Sequence, residues 1–514
     1  MAAQAPAADS PTVAATTLPD GWEAALHHRD RGARGEPDGF QRCGEAFLAI
    51  HLRAPDGPRA STALFNAAQC LEAAYLSPAA TQAYERLLAL YPQSEHAWKT
   101  REYLVEIYLA IARFDDAARH AERYAKLYPK DFRTEDMLRA AYRVRVGLGQ
   151  KDRALAALDA LEQGLRRDNP ERAAQFFWMR RELLTHDDER LEHAMTYLER
   201  HGKTGGLDRR IVAEATVGQL LWRRACAKGL DFDLCAAVGR GPPEFSDQGR
   251  RSGSDRIVAR RRPSSSPAPP PTCSELSITR GALFPRAQKD SVEAQRWFAE
   301  VLQGARRRIM IPEDASERRR AFADAVAMAS VYIANRGFEE LLAVLGEVSD
   351  APDPGRLPEL LARSQRLAGE LEKQYAEVIA QKTSIVWSIA AAARIGQIAE
   401  FRGDALLRRE VPRTHHDKTR SRVYCATMRE QAAPFYKFAD AAYERCLELS
   451  ITSGTFTDFS RLCEEALNYR DPVGFPRTPE YINRPGLQWT RPIVVGVQLE
   501  PPPELATEPA STTP

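Results

Sequence analysis

The sequence lacks any uninterrupted apolar run of the roughly 18 residues that a membrane-spanning helix needs. It also lacks an excess of either charge: 72 basic residues stand against 70 acidic ones, a formal net of +2. A dedicated nucleic-acid binder concentrates basic charge, so this balance argues against that class. Catalytic signatures are missing as well: no Cys-x2-Cys pair, no Gly-x-Ser-x-Gly elbow and no Gly-x-Gly-x-x-Gly loop occurs. Strand-like alternation is scarce. The run "PIVVGVQL" at 492–499 is the one short β-prone segment, suited to an extended edge contact. No cofactor or metal is expected.

The weaker chemical hints dissolve on inspection. "HGKTGG" at 201–206 holds a Gly-Lys-Thr, but a phosphate loop needs a glycine where Tyr197 stands and a strand where a helical pattern runs; it reads as a basic turn. His27–His28 and His415–His416–Asp417 are adjacent residues, which diverge on a helix and rarely hold one ion together, so they read as solvated. His186 and His193 flank a helix start that Asp187 or Asp188 would cap. Trp98, Trp178, Trp222, Trp297 and Trp387 recur within helical patterns and read as core packing.

Eight cysteines are present. Cys226 and Cys235 bracket a short loop, Cys446 and Cys463 flank an inter-helix turn, and Cys43 and Cys70 lie on consecutive helices; Cys273 and Cys425 remain. Two readings stay open: buried free thiols, or disulfides if the compartment is oxidising.

What the sequence does have is a repeated ending. "ERLLALYP" closes at Pro92 and "ERYAKLYP" at Pro129, 37 residues apart. Ala80, Ala117 and Ala154 recur at the same interval, each followed four residues on by Tyr84, Ala121 or Leu158. A partner helix precedes each alanine, with Leu64, Ala67, Ala68 and Leu71 inside the first, Leu104, Val105 and Tyr108 inside the second, and Leu138, Ala141 and Tyr142 inside the third. These residues resemble the tetratricopeptide repeat pattern, with Ala68, Val105 and Tyr142 standing where that family has glycine. Small residues let two helices approach, larger ones fill the space against the next pair, and proline marks the exit. One pair cannot bury its own apolar face, so the units must stack.

The resemblance implies an all-α fold, an α-solenoid of antiparallel helix pairs. Residues 1–20 would form a disordered leader, 21–235 a first helical array, 236–275 a Pro/Arg/Ser-rich disordered insert, 276–475 a second array, and 476–514 an extended, largely disordered tail. "AAQFFWMRRELL" and "DDERLEHAMTYLERH" fit a fourth, degenerate unit. In the second array "ERRRAFADAVAMASVYIANRGFEELLAVL" reads as a helix pair turning at Gly337, and "KFADAAYERCLELSI" with "TDFSRLCEEALNY" as the last pair. The insert, 239–272, carries seven arginines against three acids and reads as a solvated charged linker.

A narrower similarity rests on "VWSIAAAARIGQIAEF" (386–401), "YERCLELSITSGTFTDFSRLCEEALN" (443–468) and the set Cys226, Cys235 and Cys273 around an insert. These stretches resemble large repeat proteins of the myxobacterial cell envelope, including a component associated with gliding motility. That resemblance implies a periplasmic or envelope-associated scaffold. The start, small and polar, has no basic n-region or apolar h-region; a genuine start at Met1 would make the protein cytoplasmic.

The expected function is a non-catalytic protein–protein interaction scaffold with a protein or peptide partner, its oligomeric state left open. First-helix residues Asn66, Gln69, Arg101 and Tyr108 would line the groove, Asn and Arg clamping an extended backbone or a carboxylate. The alternative is an enzyme or regulatory protein with a site within 280–480.

Overall fold

The structure, a computed structural model, describes residues 21–239, 272–274, 280–307, 311, 315–350 and 355–476. The leader, most of the insert, "PIVVGVQL" and the terminal tail lie outside the described residues.

The chain folds as an all-α solenoid of antiparallel helix pairs. The first part comprises α1 (Trp22–Ala33), α2 (Gly39–Arg53), α3 (Ala60–Ala73), α4 (Ser77–Leu90), α5 (Ala97–Ala110), α6 (Phe114–Leu127), α7 (Thr134–Gly147), α8 (Lys151–Leu165), α9 (Pro170–Met179), α10 (Asp187–His201) and α11 (Leu207–Ala225). A 3₁₀ turn, Arg180–Leu183, follows α9. The second part comprises α12 (Gln288–Ala305), α13 (Ser316–Asp350), α14 (Leu357–Gln381), α15 (Ile385–Leu407), α16 (Lys418–Ser453) and α17 (Asp458–Arg470). Among the described residues there is no β-strand, only isolated bridges such as Cys226–Arg286 and Ala236–Leu283.

Each helix packs on its chain neighbour, and the run passes from α11 into α12 and α13 without a break. The alanine seam explains the tightness of the first pairs: Ala80, Ala117 and Ala154 are 0%, 1% and 0% exposed. Tyr84, Leu87 and Leu104 fill the spaces these alanines leave, and each fully buried leucine contributes on the order of 2–3 kcal/mol. Helices α4 and α6 stop one residue before Tyr91 and Tyr128, with Pro92 and Pro129 next in line. Acidic Asp115 and Asp116 open α6 and Lys126 closes it, matching the helix dipole.

The repeat also shows in side-chain contacts. Gln69 donates to the Tyr103 hydroxyl (3.4 Å, 34 residues on), Arg133 to Glu102 (2.9 Å, 31 residues back), Arg172 to Glu135 (2.7 Å, 37 residues back) and Arg209 to Glu171 (3.0 Å, 38 residues back). Each bond joins a helix to its counterpart in the next pair. The fourth unit is there, with α9 capped by the Asn169 side chain accepting from the Arg172 N–H. His186 takes the N-cap position of α10, so Asp187 and Asp188 fall in its first turn and steady it through the dipole rather than as caps.

Two elements of the second part differ from expectation. Gly337 makes no turn: α13 runs straight through it for 35 residues. A Cβ there would lie 2.9 Å from Leu371 Cδ2, so the glycine serves the approach of α14 to α13. The last pair begins earlier than its pattern suggests, because α16 spans 36 residues and continues through Pro434. Packing along α15 sustains the helix across the missing N–H. The insert also starts later than its composition implies, since Ala236 and Val238 are buried core residues.

All eight cysteines are paired: Cys43–Cys70 joins α2 to α3, Cys226–Cys235 closes a loop, Cys273–Cys425 ties the stretch after the insert to α16, and Cys446–Cys463 joins α16 to α17.

Candidate functional site

The odd helices α3, α5 and α7 present one face across successive pairs. Phe65 of α3 stacks on His96 at the start of α5, ring centroids 4.5 Å apart and planes 9° apart. It meets Tyr103 at 6.1 Å and the edge of Tyr84 at 6.0 Å. The His96 ring also reaches Thr62 at 3.2 Å, and Lys99 lies over Tyr103. Further along, Arg133 sits 4.4 Å over Trp98 while donating to Glu102. Phe65 itself is buried beneath this layer, and the half-buried His96, Gln69 and Tyr103 form its outer side.

Its unmatched charge is negative. Glu72 accepts a hydrogen bond from the Tyr84 hydroxyl at 3.0 Å, and neither Glu72 nor Glu106 has a cation within ion-pair distance among the described residues. Burial pushes the Glu72 carboxyl above its ordinary range, and repulsion from Glu106 adds to this against the Tyr84 bond. Glu106 is raised by burial and then by Glu102. Burial, then the neighbouring Glu72, pushes the Tyr84 hydroxyl far up, so it stays a donor. His96 is lowered, first by burial and against the pull of Glu95.

The four residues expected in the groove separate. Asn66 and Gln69 are half-buried on this face. Arg101 is buried, its guanidinium lowered by burial with Tyr128 and Arg123 as neighbours, so it offers no clamp for a carboxylate. Tyr108 is buried on the opposite side, donating to Glu85 at 3.0 Å and stacking on His120. All four lie in α3 or α5, and helical angle decides the face: Phe65, Gln69 and Glu72 share one side by their 3- and 4-residue spacing, while residues in line with the alanine seam turn inward. That spacing was the signal for Phe65 and Glu72; nothing in it marks Glu106 as unpaired.

The region 280–480 holds a dense titratable cluster, but it is packed shut. Arg280 donates to Glu400 (2.7 Å) and Asp404 (2.6 Å), Tyr443 donates to Glu400 (2.8 Å), Tyr436 to Asp404 (2.8 Å), and Arg470 to Glu400 (2.7 Å). The adjoining space is about 10 Å3, roughly one water. Among the described residues no group of three His, Cys, Asp or Glu is placed to hold a metal. His416 bonds the Val411 carbonyl (2.8 Å), His415 meets Thr414 (2.9 Å), and His193 lies against Phe177 and Trp178. Trp222 is fully buried and donates to the Asp233 carbonyl at 3.0 Å. Residues 201–206 turn the chain from α10 to α11. No described helix is long and apolar enough to cross a membrane.

No protein-family model matches the sequence, and no curated protein matches it. Solved structures do. A signal transduction ATPase with numerous domains and a tetratricopeptide repeat sensor, from Pyrococcus horikoshii, is 11% identical over 90% of this chain and 54% of its own, with a TM-score of 0.24. The chain therefore spans about half the length of that protein. The yeast Tom70 is 11% identical over 80% of this chain and 97% of its own, TM-score 0.18. A circular tandem repeat protein is 14% identical over 87% and 86%, TM-score 0.19. Superpositions this loose carry no argument; the repeat type follows from the helix pairs and the 37-residue spacing within this chain.

Proposed function

We propose that the protein is a non-catalytic scaffold that docks a segment of another protein along the face formed by α3, α5 and α7. The observation that carries this is the continuity of that face: Phe65, Gln69, His96 and Tyr103 touch across the repeat boundary, so one extended surface runs over several helix pairs. Stacked helix pairs present such surfaces to peptides. With Arg101 buried and Glu72 and Glu106 lacking a cation within ion-pair distance among the described residues, charge complementarity favours a partner segment bearing Lys or Arg.

Site-specific photo-crosslinking tests it. A crosslinker at Gln69 should capture a protein partner in native cells, whereas one at Arg119, exposed on α6, should not. Equal capture at both positions, or capture at Arg119 alone, would sink the proposal.

The setting is part of the same reading. Four buried disulfides support folding in an oxidising compartment, which agrees with the envelope resemblance of residues 386–401 and 443–468. Alkylation of freshly lysed native cells without reductant should leave every cysteine unmodified; labelled thiols would place the protein in a reducing compartment.

A further inference from the structure

Four separated stretches meet around one cavity of about 750 Å3: the start of α10, the last turns of α11, the loop 229–233 and the start of α17. Its size suits a small ligand or a large side chain. Asp187, Asp188, Asp231, Asp233 and Asp458 line it. Arg223, Arg224 and Arg461 line it too, but each is engaged. Arg224 is held by Asp290 through two bonds of 2.8 and 3.1 Å, and Arg461 donates to Glu465 at 3.3 Å, both carboxylates outside the lining. Arg223 reaches Asp187 at 3.4 Å.

Among the described residues the remaining carboxylates meet no cation within ion-pair distance. Asp231 accepts from the backbone N–H groups of Val238 (2.7 Å) and Gly239 (2.8 Å), and Asp233 from the Tyr332 hydroxyl (2.8 Å). Asp188 and Asp458 have no hydrogen-bond or ion-pair partner among the described residues. Each stands in the first turn of a helix, at the positive end of its dipole.

The cavity has an aromatic wall as well as charge. Phe232 and Phe459 lie 5.7 Å apart, tilted by 56°. The loop that carries Phe232 is rigidly placed. Phe232 and Asp233 hold φ of 47° and 61°, left-handed values that cost side-chain-bearing residues about 1 kcal/mol or more each. The Trp222 indole and the buried Arg394 guanidinium bond their carbonyls and hold them there, and Cys226–Cys235 closes the loop.

We infer that this cavity receives a cationic side chain, a guanidinium or alkylammonium, presented by a segment of a partner protein. A planar guanidinium fits between ring and carboxylate, stacking on one and donating to the other. The inference takes from the scaffold reading only that the partner is a protein; the site lies away from α3, α5 and α7.

The test is a fluorescence-anisotropy titration of the full, disulfide-intact chain with a labelled pentapeptide of glycines around a central arginine, and with its citrulline counterpart. The arginine peptide should bind, and the citrulline peptide should bind at least about tenfold more weakly. Asp188→Asn with Asp458→Asn, both exposed positions, should weaken arginine binding about tenfold without lowering the melting temperature by more than a few degrees. Glu370→Gln with Glu377→Gln, exposed carboxylates of α14 outside both sites, should leave it unchanged within about twofold. Equal affinity for both peptides, or no binding, overturns the inference. Loss with Glu72→Gln and Glu106→Gln but not with the aspartate variant overturns the cavity while leaving the scaffold face standing. Binding that appears only when Arg260, Arg261 and Arg262 are changed to alanine assigns the cavity to the chain's own basic stretch and overturns the partner.

Discussion

His120 of α6 and Glu85 of α4 meet at 2.8 Å across 35 residues of sequence, one repeat apart. Tyr108 donates to the same Glu85 oxygen from α5, so one carboxylate fastens two successive helix pairs. The His120 bond, more than any other cause, holds the Glu85 carboxyl below its ordinary range. A carboxylate with a depressed folded pKa supports the fold above its unfolded pKa and loses that support as pH falls through the folded value. Solvent screens this half-exposed carboxylate, so Glu85→Gln should cost about 1 kcal/mol or less near neutral pH and progressively less on acidification below about pH 4.5. Urea unfolding of both proteins across this range measures it; a cost that does not shrink on acidification would show that the ionised Glu85 carboxylate contributes nothing.

The face carboxylates behave oppositely. Glu72 and Glu106 have raised pKa values, so their ionisation opposes folding and that opposition fades as pH falls through the folded value. Glu106→Gln should leave the melting temperature unchanged or slightly higher at pH 7. The same substitution should weaken a cationic partner, as should acidification. Melting and affinity measured on one variant separate the two effects, and a marked loss of stability would contradict the unpaired state of this carboxylate.

Gly396 should not tolerate a methyl group. A Cβ there would lie 2.6 Å from Tyr443 Cε1, a ring atom in a fully buried side chain that also bonds Glu400. Alanine would normally improve a helix interior by about 0.5–1 kcal/mol. Overpacking costs about 1–3 kcal/mol and should win, so Gly396→Ala is expected to lower the melting temperature.

Removing Cys273–Cys425 should destabilise the fold more than removing any other disulfide. It closes a loop with a sequence separation of 152, against 9, 17 and 27 for the rest. Chain-entropy arguments put this at about 5 kcal/mol, and at roughly 2–4 kcal/mol for the shorter loops. Denaturant unfolding of the four paired Cys→Ala variants ranks them; a larger loss from Cys226–Cys235 would point to native packing rather than loop entropy.

Helix pairing in the first part was legible because stacking imposes local rules. Ala80, Ala117 and Ala154 must be small where helices cross, and Pro92 and Pro129 must end what cannot continue. Those constraints repeat every 37 residues, so residue types alone reveal them. The second part obeys no such period. There α13 and α16 exceed 30 residues, and Gly337 and Pro434, local breakers, are overruled by the packing of α14 and α15.

The sequence by itself determined the all-helical class, the repeat and the inward seam, because these follow from spacing along one helix. Tertiary structure alone decided which first-helix residues face outward, which carboxylates go without cations and where the cavity opens. Tyr108 and Glu106 are two residues apart, yet one is sealed between repeats and the other has no ion-pair partner among the described residues. Asp188, Asp231 and Asp458 share a wall only because distant helices meet there. Charge pairing depends on the three-dimensional neighbourhood of a carboxylate, and the order of residues along the chain does not encode that neighbourhood locally.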